Sequence, residues 1–318
     1  MPKIVIPDDA PPQMKGTKAL EQLNEHGEVA LYNTKASSQE EFVGRMKEAE
    51  VAINVRAYSK FTEEVFAACP SLKMLSVLGT GTDNVDLAAA SKRNILVTNT
   101  PGFGAVAVAE HALALMLAVA RHIPLIDREV REAKWPRGLM TQLHGRTLGL
   151  VGLGAVGGQL ARIGKGIGME VISWTFNPSP GRAEEHGLEF VSLEDLLQRA
   201  DVVSVHARLS PESRDLIGEK ELSLMKPSAI IVNTARGPII NDKALVDALT
   251  KGKIAGAGLD VFEEEPIPPD HPLLKLDNVV LTPHNAGMTP ETIERGAQMA
   301  VDNIINYLGG NPTYVVNK

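Results

Sequence analysis

The chain has 318 residues and a formal net charge of −7, with 44% of its residues hydrophobic and 22% charged. That length and balance predict folded domains, two rather than one, and exclude a disordered polypeptide. The acidic surplus excludes the basic footprint that a phosphate backbone requires, so no nucleic-acid partner is expected.

Cys69 is the lone cysteine, which leaves no internal disulfide and no thiolate metal site. Residues 3–7 form an apolar run too short for a signal-peptide core, and they read as a first strand. Residues 51–55, 75–78 and 95–99 continue as short strands with amphipathic segments between them. Residues 105–122 are rich in Ala, Leu, Val and Met and polar only at their ends. They predict a long buried helix where two blocks of structure meet. Its most apolar part, residues 112–120, is about half of what a bilayer crossing needs, so no membrane segment and a cytoplasmic location are expected. Strand-like runs follow at 147–151, 170–175, 202–206, 229–233, 254–259 and 279–281, with helical stretches such as 155–167, 193–199 and 243–251 between them. Residues 290–308 read as a last helix, with Pro290 in its first turn and Gly309-Gly310 at its end. Continuous apolar strands alternating with helices predict an α/β fold with parallel sheets covered on both faces. No long linker, repeat or low-complexity tract interrupts the chain.

The strongest local signal is Thr147-Leu-Gly-Leu-Val-Gly152-Leu-Gly154-Ala155-Val156-Gly157, a G-x-G-x-x-G between a strand and a helix. The first glycine permits the tight turn, the second leaves room for a pyrophosphate, and the third lets helix and strand approach. A bare triplet is a common structural turn; its context makes dinucleotide binding the favoured reading. The carboxylate expected about 20 residues later, to bind a ribose, is missing, and Thr175 stands there. Threonine does not repel a ribose 2′-phosphate. Asn177, Ser179 and Arg182 follow, and Arg182 reads equally as a phosphate contact or a solvated loop charge. The cofactor is therefore NAD or NADP.

Arg236, Glu265 and His284 each follow a strand-like run. Taken singly, Arg236 reads as a surface charge, Glu265 as one of the acidic run Glu263-Glu264-Glu265, and His284 as a strand end. Carboxyl ends of parallel strands line a ligand crevice, which brings the three into one candidate site. Reduction of a 2-oxo acid needs a cation for the carboxylate, a proton donor for the ketone and a carboxylate that favours the charged donor.

Several motifs in order extend this reading: Gly79-Thr-Gly81-Thr-Asp83-Asn84-Val-Asp86, Asn99-Thr-Pro101, the glycine turn, Met225-Lys-Pro227, Asn233-Thr-Ala-Arg236-Gly237, Gly258-Leu-Asp260-Val-Phe-Glu-Glu-Glu265-Pro266 and Thr282-Pro283-His284. Over nearly the whole chain the sequence resembles the D-isomer-specific 2-hydroxyacid dehydrogenase family. The resemblance implies two Rossmann-like domains. A flavodoxin-like substrate domain would span 1–99 plus 286–318, and a dinucleotide-binding domain 100–285, with the active site in the cleft and a homodimer formed through the long helix. It implies that Arg236 takes the substrate carboxylate, that His284 is the acid–base and that Glu265 pairs with it. It further implies that Leu78, Gly79 and Thr80 offer backbone groups to the substrate. The cofactor positions carried over are Gly152, Gly154, Ala155, Val156 and Gly157 at the turn and Thr175, Asn177 and Arg182 beyond it. His206, Ala207 and Arg208 follow the next strand, and Thr234, Ala235, Asp260, His284 and Gly287 complete the nicotinamide side. No metal is implied.

The sequence departs from the family pattern at Thr175, at His206-Ala207-Arg208-Leu209-Ser210, where Arg208 enters the adenine side, and at Gly102-Phe-Gly-Ala105-Val106. Arg56 and Trp135-Pro-Arg137 resemble segments of 3-phosphoglycerate dehydrogenases, although the length leaves no room for the regulatory domain of many of those enzymes. Absence of the ribose carboxylate favours a glyoxylate or hydroxypyruvate reductase. The formate dehydrogenase branch fits less well, because Glu265 suits ketone reduction. A dinucleotide-sensing corepressor-like scaffold is the alternative from another class, and retention of Arg236, Glu265 and His284 together speaks against it.

Overall fold

A computed structural model describes residues 1–55 and 58–317. From the amino terminus the chain runs β1 (Lys3–Ile6), α1 (Lys18–Leu23), β2 (Glu28–Leu31), α2 (Gln39–Met46), β3 (Val51–Asn54), α3 (Glu63–Ala68), β4 (Met74–Val77), α4 (Leu87–Lys92) and β5 (Leu96–Thr98). It continues through α5 (Ala105–Ala120), α6 (Ile123–Arg131), β6 (Thr147–Val151), α7 (Ala155–Gly166), β7 (Glu170–Trp174), α8 (Pro180–His186), β8 (Glu189–Phe190), α9 (Leu193–Arg199) and β9 (Val202–Val205). The remainder is α10 (Glu219–Leu224), β10 (Ile230–Asn233), α11 (Asp242–Thr250), β11 (Gly256–Leu259), β12 (Val279–Leu281) and α12 (Pro290–Leu308).

Helix starts follow local chemistry. Thr17, Ser38, Asp86, Ser192, Asn241 and Thr289 each accept a hydrogen bond from a first-turn N–H, which satisfies a donor the helix itself leaves open. The fold is α/β, and two compact units form: Met1–Gly104 with Met288–Lys318, and Ala105–Gly287.

The first unit holds a five-stranded sheet in the order β2-β1-β3-β4-β5, parallel throughout, a flavodoxin-like arrangement. Ile4, Ile6, Ile53 and Met74 of the sheet bury against Ala297, Ala300, Val301 and Ile304 of α12. Residues 100–104 stay with this unit for a physical reason: Thr100 exchanges hydrogen bonds with Gly79, and Phe103 packs so tightly on Gly296 that a Cβ there would lie 2.6 Å from its ring.

The second unit holds a seven-stranded parallel sheet in the order β12-β11-β10-β9-β6-β7-β8. Strand order reverses between β6 and β9, which opens a crevice at their carboxyl ends. Strands β6, β9, β10 and β11 of this sheet are buried on both faces, which is why they read as unbroken apolar runs. The edge strands β2 and β8 carry no such run, and the sequence gives no sign of them: β2 is partly exposed and β8 spans 2 residues. Among the described residues, no single helix is long and apolar enough to cross a membrane, and no cluster of three or more metal-type ligands forms.

Candidate active site

The glycine turn links β6 to α7. Gly152 has φ 107, a backbone that side chains disfavour, and a Cβ there would strike the Ala207 nitrogen at 2.7 Å. A Cβ on Gly157 would lie 2.4 Å from the Gly152 carbonyl oxygen. Gly154 differs from both: its φ is −94, and a Cβ would meet nothing within 4 Å. Protein packing therefore gives no reason for glycine at 154, whereas a ligand against the turn does. Gly154 is also the N-cap of the 12-residue α7 and has no side chain to satisfy its first N–H groups. Those donors and the helix dipole suit a pyrophosphate. In the loop after β10, Thr234 Oγ1 is buried without a hydrogen-bond partner among the described residues. The residues present thus fit a dinucleotide.

Arg182 donates to the Leu153 carbonyl at 3.1 Å and also to the Asn177 carbonyl. This pins the guanidinium between the glycine turn and the loop that follows β7 rather than leaving it on a solvated loop. Lys165 braces α8 from below by donating to the His186 and Gly187 carbonyls. On the other side of the turn, His206 Nε2 lies 2.8 Å from Ser204 Oγ, and burial pushes its imidazole down to about 4. His206 is therefore neutral near pH 7, and Ala207 is buried beside it while Arg208 is exposed.

The chemistry-bearing loops follow β10, β11 and β12. Asn233, buried at the end of β10, accepts from the Ala235 N–H at 2.9 Å and donates to the Arg236 carbonyl at 2.9 Å. Arg236 Nη1 donates to the Ala235 carbonyl at 2.7 Å. At Gly237 the chain presses against the loop after β11: a Cβ would lie 1.9 Å from the Phe262 carbonyl carbon. That close approach brings Arg236 within electrostatic reach of Glu265. Glu265 Oε1 accepts from the Phe262 N–H at 3.0 Å, and its Oε2 lies 2.6 Å from His284 Nδ1. Burial raises the Glu265 carboxyl, but the His284 bond and charge, the Phe262 N–H and the Arg236 charge outweigh it and hold it below its ordinary value. An ionised carboxylate only accepts, so Nδ1 of His284 carries hydrogen, which leaves Nε2 to give or take a proton.

Asp260 is fully buried. It accepts from Thr282 Oγ1 at 2.6 Å, from the Asn285 N–H at 3.0 Å and from the Ala286 N–H at 2.9 Å. Its carboxylate thereby ties down the loop that carries His284, whose φ of 52 is unusual for a side-chain-bearing residue. Gly287 ends that loop.

The second unit thus gathers Arg236, Glu265, His284, Asp260 and the glycine turn. Leu78, Gly79 and Thr80 belong to the first unit, at the carboxyl end of β4. There the Gly79 N–H donates to Thr100 Oγ1 at 2.8 Å, so that donor has a partner within the protein, and the Thr80 carbonyl accepts from Asn99. Arg56 lies outside the described residues. Sequence reasoning missed Asn233 and Gly237 as supports. The only signal for them was their place on either side of Arg236.

The fold and the site define a nicotinamide-dependent oxidoreductase. Residues 113–286 match the model of the D-isomer specific 2-hydroxyacid dehydrogenase NAD binding domain. A glyoxylate reductase of Korarchaeum cryptofilum is 42% identical over 309 residues, 95% of this chain and 93% of that protein. A D-3-phosphoglycerate dehydrogenase of Archaeoglobus fulgidus is 43% identical over 277 residues, 86% of this chain but 52% of that longer protein. A solved acyclic imino acid reductase in complex with NADPH and D-Arg superposes with a TM-score of 0.89 at 30% identity, over 99% of both chains. The chain belongs to the D-isomer-specific 2-hydroxyacid dehydrogenase family. It is an oxidoreductase acting on CH–OH donors, with a nicotinamide cofactor and a small 2-hydroxy or 2-oxo acid as substrate.

Proposed function

We propose that the chain reduces a small 2-oxo acid of the glyoxylate or hydroxypyruvate type to its D-2-hydroxy acid, and that it uses NADPH. The observation that carries the reading is the His284–Glu265 pair at 2.6 Å, with Arg236 held beside it across Gly237. Arg236 takes the substrate carboxylate through its planar fork. His284 Nε2 gives its proton to the ketone oxygen, and Glu265 stabilises the cationic ring that does so. A bound nicotinamide supplies the hydride. The glyoxylate-type substrate is supported by the relative that this chain matches over 93% of its length. NADPH is supported by Thr175, which adds no repelling charge, and by Arg182, fixed at the edge of the glycine turn. The proposal includes a homodimer formed by the apolar face of α5 and α6 and the loop after them, where Ile123 is 55% and Trp135 75% exposed; the molar mass in solution checks it.

The test is loss of nicotinamide absorbance with NADH and NADPH in parallel, across glyoxylate, hydroxypyruvate, phosphohydroxypyruvate and pyruvate, for the parent protein and His284→Ala. Turnover of glyoxylate or hydroxypyruvate with NADPH, lost in H284A, is expected. Fastest turnover of phosphohydroxypyruvate would replace the substrate assignment with that of a phosphoglycerate dehydrogenase. Tight cofactor binding with no turnover of any of the four would point to a sensing scaffold.

A further inference from the structure

Helix α5 does more than fill the core of the second unit. Four residues along a helix rise about 6 Å, nearly the span of two residues along a strand. Successive positions i, i+4 and i+8 of a helix can therefore sit over alternate residues of a strand. β11 exploits this with glycines: a Cβ at Gly256 would lie 2.8 Å from Val119, and one at Gly258 would lie 2.9 Å from Leu115. With Val119 over Gly256 and Leu115 over Gly258, the next residue on that stripe is His111, and the next on the strand line is Asp260. The contacts follow: His111 Nε2 lies 2.9 Å from Thr282 Oγ1 and 3.5 Å from Asp260 Oδ1. One turn earlier, Val108 is the neighbour that a Cβ on Gly287 would touch at 3.9 Å. The start of α5 thus backs the loop that bears His284.

The direction of these bonds is set by chemistry. Asp260 Oδ1 can only accept from Thr282 Oγ1 at 2.6 Å, so the threonine spends its hydrogen there. Its oxygen must then accept from His111, which carries hydrogen on Nε2. The chain of bonds runs from His111 through Thr282 to Asp260, and from Asp260 to the N–H groups of Asn285 and Ala286 that flank His284.

The geometry points to His111 as a positioning residue for the reaction: it orients the Thr282 hydroxyl, and through Asp260 it holds His284 in the geometry that delivers the proton. It touches neither substrate nor cofactor in this role. The inference rests on the reading of His284 as the acid–base.

The experiment is steady-state reduction of glyoxylate by the full chain with NADPH, with cofactor affinity measured by fluorescence titration, for the parent, His111→Leu, His111→Gln, Thr282→Val, the double variant H111L/T282V and H284A. H111L is expected to lower kcat about tenfold, the weight of one directed hydrogen bond, with KM and cofactor affinity within about twofold. H111Q puts a donor N–H near the same place and restores most of kcat. The double variant is no slower than T282V, because both changes cut one chain. H284A inactive but H111L at the parent kcat overturns the inference alone. So do H111L and H111Q equally slow with KM and cofactor affinity weakened in step, or effects that add in the double variant; should H111L fold poorly, H111Q in its place, alone and with T282V, carries the test, and a rate for H111Q as low as that of T282V with KM and cofactor affinity weakened overturns it. H284A at the parent rate overturns the reading beneath it.

Discussion

At the scale of single residues, the site is a set of charges whose neighbours decide their state. Glu265 is held ionised by His284, the Phe262 N–H and Arg236. Its negative charge lies 2.6 Å from the ring that delivers the proton. Glu265→Gln keeps the shape and removes the charge, so kcat for reduction should fall about tenfold with KM within about twofold. An unchanged kcat would separate Glu265 from proton delivery. The residue types were legible in the sequence because each follows an apolar strand, and strand ends in a parallel sheet face the crevice. The role of Asp260 was not legible in that way. Resemblance places it on the nicotinamide side; the structure adds that its carboxylate accepts from Thr282, Asn285 and Ala286. Partners more than 20 residues downstream leave no local mark.

At the scale of elements, the glycine turn separates two demands that one motif makes. Gly157 is required by the Gly152 carbonyl 2.4 Å from its missing Cβ, whereas Gly154 faces open space. Gly157→Ala should therefore destabilise the protein by about 1–3 kcal/mol, the usual cost of overpacking, and lower its thermal midpoint without cofactor. Gly154→Ala should leave that midpoint unchanged but weaken the rise in midpoint that NADPH produces. Equal behaviour of the two variants in thermal unfolding would remove the distinction. The strand–turn–helix pattern was plain in the sequence because glycine spacing and apolar runs are local. The match of α5 to β11 was not, although Gly256 and Gly258 are visible in the chain, since nothing local says which helix will lie over them.

At the scale of the whole molecule, packing sets a pH response. The folded His206 ring resists protonation until about pH 4, against an ordinary value of 6.5. The unfolded chain therefore binds that proton first as pH falls. The stability that neutral His206 contributes is complete above 6.5 and is lost as pH drops toward 4. His206→Gln should flatten this part of the response: between about pH 7 and pH 5 its thermal midpoint should fall less than that of the parent. Parallel curves would show that His206 contributes nothing to the response. The class of fold, alternating strands and helices in parallel sheets, was determined by the sequence alone, because buried strands and amphipathic helices write their periods into neighbouring residues. So were the dinucleotide turn and the three residue types after the later strands. Tertiary structure decided the rest: the strand orders β2-β1-β3-β4-β5 and β12-β11-β10-β9-β6-β7-β8, the pinning of Arg182, and the support of His284 by Asp260 and His111. Each of these depends on contacts between residues far apart in the chain, and such contacts exist only once the layers have packed.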